Sequence, residues 1–223
     1  MNQFQDQYDF HILGKRYSLP RIDADSKTKE SILLNATLLF ARRGYASVSM
    51  RDIADTIGIK PASLYNHFNS KEVMWREAVN HAKELYLFYF NHLEQAMEGA
   101  GTFEEVLELV FQEPKKLKNI FTCYAFCMIQ AEQFRDPDAG EAFNDIFLKY
   151  SVDIIRKWFD KTVELGLVRP FDTGIVAFIV MNSVLIGLDL KVHECMGREI
   201  PFEPGGMLAR VQRFILDSVN RAP

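Results

Sequence analysis

Residues 60 to 75 read KPASLYNHFNSKEVMW, and the fold follows from how this stretch divides. Proline at the first position of a helix gives up no hydrogen bond, so Pro61 predicts a helix start, with an end expected near His67. Leu64 and Phe68, four residues apart, supply its buried stripe. Ser70 can cap a second helix that begins at Lys71, with Glu72 in its electropositive first turn. That second helix is expected to reach about Met97, so a very short helix leads directly into a long one.

Upstream, the spacing predicts a helix over about Lys27 to Arg43, with Ile32, Leu33, Ala36, Leu39 and Phe40 on one face and Gly44 as its stop. A further helix opens at Ser49, where Asp52 three residues later suits a capping box. Ile53, Ala54 and Ile57 face inward, and Gly58 ends it. Two helices of about eight residues, joined at Gly58-Ile59 and backed by a first helix, make a helix-turn-helix. Downstream of Gly99 and Gly101, helical spacing recurs over about 102 to 113, 116 to 134, 139 to 165, 172 to 196 and 205 to 220, punctuated by Pro114, Pro137, Gly166 to Pro170 and Pro201. No run alternates with period two. The expectation is an all-α chain in three parts: an extension at 1–25, a three-helix helix-turn-helix domain at 26–72, and a larger antiparallel helical domain at 73–223.

The net charge of −4 excludes a uniformly basic coat but hides an asymmetry. Residues 1 to 72 hold 10 Lys and Arg against 8 Asp and Glu, and the remainder 16 against 22. Positive charge is therefore concentrated early. Three cysteines in apolar surroundings make a poor disulfide framework, and the start MNQFQDQYDF lacks the basic flank and apolar run of a signal peptide, so a reduced cytoplasmic setting is expected. IVAFIVMNSVLIGLDL at 175 to 190 is interrupted by Asn182, Ser183 and Asp189 and is expected to be a buried helix, not a membrane span.

The second helix of such a unit enters the DNA major groove. With Leu64 and Phe68 inward, Lys60, Ala62, Ser63, Asn66 and His67 remain outside. Asn66 suits a bidentate contact to adenine, and Lys60 a guanine edge or a phosphate. Tyr65, His67 and Lys71 suit phosphates, as do Ser49 and Arg51 at the start of the preceding helix. The alternative for each is a solvated side chain of a small domain, and for Ser49 a helix cap alone.

The run ILLNATLLFARRGYASVSMRDIADTIGIKPASLYNHFNSKEVM, Ile32 to Met74, resembles the DNA-binding domain of the TetR family of bacterial transcriptional regulators. It shares Leu39-Phe40, Gly44-Tyr45, Ser49, Ile53-Ala54, Gly58 and Leu64-Tyr65-x-His67-Phe68-x-Ser70-Lys71-Glu72. The resemblance implies a homodimeric repressor or activator that binds operator DNA and carries a C-terminal ligand-binding domain. Its last two helices would pair with their copies across a two-fold axis, which here assigns Val184, Leu188, Leu208, Val211 and Ile215 to dimerisation. Packing within one chain is the alternative for that surface. The Pro61 start and the first 25 residues are not part of the family pattern.

The helix near 119 to 134, NIFTCYAFCMIQAEQF, is apolar on nearly every face, as a helix is that is buried all round or lines a cavity. The aromatic supply around it fits either a Phe-filled core or a pocket for a small apolar or aromatic effector. The pocket reading selects Phe103, Tyr124, Cys127, Met128, Gln130, Phe147, Tyr150, Phe178 and Asn182. No cofactor and no metal are expected: Cys123 and Cys127 read as small buried hydrophobes, and adjacent His193, Glu194 and Cys195 point different ways on a helix. No nucleophile elbow, phosphate loop or HExxH occurs, so no enzyme is expected.

Overall fold

A computed structural model describes residues 9–12, 15–18, 27–116, 120–200 and 204–220. Among the described residues there are ten α-helices: α1 Lys27–Arg43, α2 Met50–Ile57, α3 Pro61–Tyr65, α4 Lys71–Met97, α5 Phe103–Lys116, α6 Ile120–Glu132, α7 Pro137–Phe143, α8 Ser151–Glu164, α9 Thr173–Cys195 and α10 Pro204–Asn220. A π-helical segment, Asn144–Tyr150, joins α7 to α8. The expected all-α architecture is present, with one addition: strands β1 Asp9–Ile12 and β2 Lys15–Ser18 pair as a two-stranded sheet. In sequence the strands are DFHI and KRYS, with Leu13-Gly14 between them. Expectations about the rest of residues 1–25 and about the side chains of Phe121 and Cys195 lie outside the described residues.

The helices fall into two compact units. The first contains residues 18–86 and 119–144, hence α1 to α3, the first part of α4, α6 and α7. Its core joins Ile32, Ala36 and Phe40 of α1 to Ile53 of α2, Leu64 of α3, Phe68, Trp75 and Val79, and α6, whose Phe126 and Ile129 are buried, packs along α1. Trp75 meets Phe40 edge-on at 5.2 Å between ring centroids and Tyr45 at 5.0 Å. His81 on α4 is buried, which lowers its imidazole to about 4 and keeps it neutral at pH 7. This grouping does not follow the sequence-derived division at residue 72. α6 and α7 lie beyond that position, yet α6 buries its apolar side on α1.

The second unit contains residues 87–118 and 145–223, with α9 packed against α5, α8 and α10. Phe103 and Phe159 are buried in it and meet half-buried Phe171, the three rings making tilted and edge-on contacts. Gly187 is a close-approach position, where an added Cβ would stand 2.9 Å from Leu208 Cδ1. Arg169 ties the α8–α9 connection to the Ser218 carbonyl.

α9 corrects the expectation of a buried helix. By length and composition, Thr173–Glu194 is apolar enough to cross a membrane, yet only 39% of its apolar window is buried. One side, bearing Ala177, Val180, Met181, Val184 and Leu188, is interior, while Ile175, Phe178, Ile179 and Ile186 are exposed. α5 continues through Pro114 to Lys116 instead of stopping before it, and α3 ends at Tyr65, two residues short of the expected limit.

Gly58 closes α2 at φ 71°, sending its N–H to the Asp55 and Ala54 carbonyls. Nothing lies within 4 Å of where its Cβ would be, so the cost of a side chain there is backbone strain alone. Gly58→Ala should lower stability by about 1 kcal/mol, read as a reduced urea midpoint with an unchanged slope.

Candidate nucleic-acid interface

Three helix starts build this surface, all within the first unit. At α2, Ser49 is the N-cap in extended geometry. Its Oγ accepts the Asp52 N–H at 3.1 Å, and the Asp52 carboxylate accepts the Ser49 N–H at 2.8 Å, completing the predicted capping box. The Ser49 hydroxyl also donates to that carboxylate. Hydrogen bonds from Ser49, first its hydroxyl and then its amide, with a smaller effect of Arg43, hold Asp52 down at about 2. Arg43 adds an ion pair at 3.2 Å and reaches the Ser47 carbonyl. The start of α2 is therefore rigid, and Arg51, 83% exposed, projects from its first turn with Asp55 4.0 Å away.

α3 begins at Lys60, which has no side-chain cap, and Pro61. Leu64 and Phe68 are completely buried, with the Phe68 N–H donating to the Leu64 carbonyl at 3.1 Å. That anchoring leaves Lys60, Ala62, Ser63, Tyr65 and Asn66 exposed and His67 half-buried. Ala62 and Ser63 put little bulk between the helix and an approaching groove. Asn66 is the C-cap of α3, still at helical φ −70° and ψ −20°, and His67 lies in the turn after it.

At α4, Lys71 is half-buried. Its Nζ donates to the Tyr45 carbonyl at 3.0 Å and stands 4.1 Å over the Tyr45 ring. Lys71 thus spends one donor on the protein and retains others. An open groove of about 500 Å³ is lined by Ala46, Ser47, Val48, Ser49, Met50, Arg51, Tyr65 and Lys71. It brings together four of the residues singled out from the sequence, Ser49, Arg51, Tyr65 and Lys71, where a phosphate could meet a guanidinium, an ammonium, two hydroxyls and a helix N-terminus. Tyr45 joins this surface without having been among the predicted contacts, and its signal in the sequence is its place after Gly44. Arg43 and Ser47, which orient the start of α2, carry no motif of their own.

The residues chosen for an effector pocket divide between the units. On α6, Tyr124 OH accepts the Arg42 guanidinium at 2.8 Å and Cys127 Sγ donates to the Ala41 carbonyl at 3.4 Å; Met128 is fully buried and Gln130 half-buried. Phe103 and Phe147 are buried in the second unit, where Tyr150 OH donates to Asn91 Oδ1 at 2.6 Å. Phe178 does not belong with them: it is 56% exposed, and Asn182, hydrogen bonded to its carbonyl, lies on the same outer stripe of α9. Val184, Leu188, Leu208 and Ile215, chosen for dimerisation, are buried within the protomer, and only Val211 is half-exposed. A helix apolar all round gives no periodic signal to say which side its own chain covers. Among the described residues no three His, Cys, Asp or Glu side chains are grouped as metal ligands.

The sequence model for bacterial regulatory proteins of the tetR family matches residues 32–78. Over 94 residues, 42% of this chain, the sequence is 26% identical to the biofilm operon icaADBC HTH-type negative transcriptional regulator IcaR of Staphylococcus epidermidis; the match spans 51% of that protein, so the chain covers about half the length of this curated relative. In structure the chain resembles a transcriptional regulator from Saccharomonospora viridis in complex with choline, with a TM-score of 0.69 and 20% identity over 89% of this chain and all of that one. It also resembles FadR of Bacillus subtilis in complex with stearoyl-CoA, with a TM-score of 0.62 and 16% identity over 85% of this chain and 98% of that one. These structural likenesses establish the fold.

The lowered pKa of Asp52 has a testable sign. A carboxyl at about 2 in the folded chain and 3.8 unfolded contributes stability that is complete above pH 3.8 and is lost as pH falls toward 2. Asp52→Asn should lower the urea midpoint at pH 7, and the gap from wild type should shrink between pH 4 and pH 3.

Proposed function

We propose that this chain, a member of the tetR family of bacterial regulatory proteins through residues 32–78, is a DNA-binding transcriptional regulator that acts in the cytoplasm as a homodimer. The observation that carries the reading is the groove in which Ser49, Arg51, Tyr65 and Lys71 converge beside the exposed α3. Residues 26–72 are the DNA-binding domain in this reading, and residues 73–223 serve effector binding and dimerisation. Repression is the assigned direction, in line with the negative regulator IcaR. No catalytic activity and no cofactor are assigned.

Ser49, Arg51, Tyr65, His67 and Lys71 contact phosphates. Lys60, Ala62, Ser63 and Asn66 face base edges. Arg51→Ala should weaken binding to all duplexes alike and reduce the salt slope of log K by about 1, whereas Asn66→Ala should change base preference. Fluorescence anisotropy on duplexes selected from a random pool by the wild-type chain measures both. A helical protein acting only through protein contacts is the competing function, and it predicts no salt-dependent retention of DNA.

The two-fold contact is assigned to the outer stripe of α9 and α10: Ile175, Phe178, Ile179 and Ile186 with Met207, Val211 and Phe214. On α9 these recur at helical spacing, and on α10 Val211 lies midway between exposed Met207 and Phe214. An apolar stripe of this length invites a self-complementary partner, and two recognition helices must be held about 34 Å apart to read successive major grooves. Phe178→Glu should convert the dimer to monomer in analytical ultracentrifugation and leave the helical circular dichroism intact.

The effector is assigned to the interior of the second unit, around Phe103 and Phe147. Support comes from its aromatic density and from Trp158, whose buried indole N–H finds no acceptor among the described residues. The two structural relatives carry ligands as different as choline and stearoyl-CoA. The apolar or aromatic character of the effector therefore rests on this chain's own interior. Effector and operator weaken each other reciprocally if each favours a different dimer geometry.

A further inference from the structure

Glu132 ends α6 and is only 9% exposed, an uncommon place for a carboxylate. Its Oε1 accepts the Tyr45 N–H at 3.0 Å. The reason this donor is available lies in how α1 stops. Gly44 adopts φ 77° and returns its own N–H to the Phe40 carbonyl at 2.8 Å. In many helix endings of this type the following N–H also returns to the same helix. Here that N–H goes to another helix, and a Cβ on Gly44 would approach Glu132 Oε1 to 3.3 Å.

The other side of Tyr45 is engaged as well. Its carbonyl accepts Lys71 Nζ at 3.0 Å and the Val48 N–H at 3.3 Å. Val48 immediately precedes the Ser49 cap of α2, and Lys71 is the first residue of α4. One residue's amide and carbonyl therefore link the end of α6 to two of the three helix starts that line the groove. Further back along α6, Tyr124 holds Arg42 and Cys127 holds the Ala41 carbonyl, so the preceding turns of α6 grip α1 itself. Glu132 grips the turn beyond it.

We propose that Glu132 is a positioning residue for DNA binding: by holding the Tyr45 amide it sets the Tyr45 carbonyl, and through that carbonyl the place where Lys71 presents its ammonium to a phosphate. The inference rests on the regulator reading above and adds a residue of α6 that touches no DNA. It predicts a signature that a general loss of stability does not share, because the effect of Glu132 is transmitted through Lys71 and must vanish when Lys71 is absent.

The full-length chain, with duplexes selected from a random pool by wild type, tests this by anisotropy. Glu132→Ala should weaken binding about tenfold. Glu132→Gln, whose amide oxygen can still accept from Tyr45, should remain within about threefold of wild type. In a Lys71→Ala background, Glu132→Ala should cost less than about twofold more, a strong departure from additivity. Equal affinity of Glu132→Ala and wild type, or an equal loss with and without Lys71, overturns the proposal. If Glu132→Ala fails to fold, Glu132→Asp withdraws the carboxylate by one methylene and must show the same dependence on Lys71; independence overturns it too. A wild-type chain that retains no DNA from the pool removes the regulator reading and this proposal together, whereas DNA-binding wild type with an unaffected Glu132→Ala removes this proposal alone.

Discussion

α3 has five residues, barely more than one turn, and no side-chain cap at its start. Isolated helices of that length do not persist in water. Its orientation therefore depends on two fully buried side chains, Leu64 within it and Phe68 just beyond, seated in a core made by α1, α2 and α4. Everything exposed on α3 inherits its direction from that seat. Replacing either anchor with a smaller residue would leave a cavity beneath the helix and free its outer side chains to turn. The aromatic contacts of Trp75 with Phe40 and Tyr45 brace the same core from α4, so the helix that begins at Lys71 and the turn that precedes α2 are built on common ground.

On this frame the positive charge of the N-terminal third is distributed selectively. Arg43 is committed to Asp52 and the Ser47 carbonyl, Arg42 to Tyr124, and Lys29 to Glu77 at 2.9 Å. Lys29 and Arg42 thereby join α1 to α4 and α6, and Arg43 joins it to the start of α2. Lys60 and Arg51 remain outward, and Lys71 is shared between the protein and the groove. Local charge surplus thus overstates the charge available to a phosphate backbone, since part of it is spent orienting helices. The acidic remainder of the chain opposes non-specific adhesion to DNA and leaves the α3 surface as the attractive face.

Where a helix alternated clear caps with a clear apolar stripe, its limits could be read from the residues. α1, with Gly44 after it, α2 between Ser49 and Gly58, and α4 after Ser70 all begin or end where the sequence signals stand. The helix-turn-helix surface was legible for the same reason, since burial of Leu64 and Phe68 determines which neighbours face out. The sheet β1–β2 was not, because four-residue strands offer too few alternations to stand above background. Nor was the break at Asn144, where α7 gives way to a π-helical segment while the helical pattern of side chains runs on. The role of Glu132 had no local signal, since its partner is 87 residues away in sequence.

α9 shows how a correct element can carry a misplaced surface. Its existence and length were plain from 175 to 190, but a segment apolar on all sides contains no information about which side its own chain will cover. The answer comes from the neighbours: α5, α8 and α10 occupy one side, and Gly187 admits Leu208 close enough that α10 is fixed against it. Val184 and Leu188 then point inward, and Phe178 outward, as consequences of packing. Asn182 and Ser183 each donate to a carbonyl four residues back on the same helix, Asn182 to Phe178 and Ser183 to Ile179. One donor of each is thereby met within α9, while the Asn182 carbonyl oxygen keeps a polar point on the otherwise apolar outer stripe.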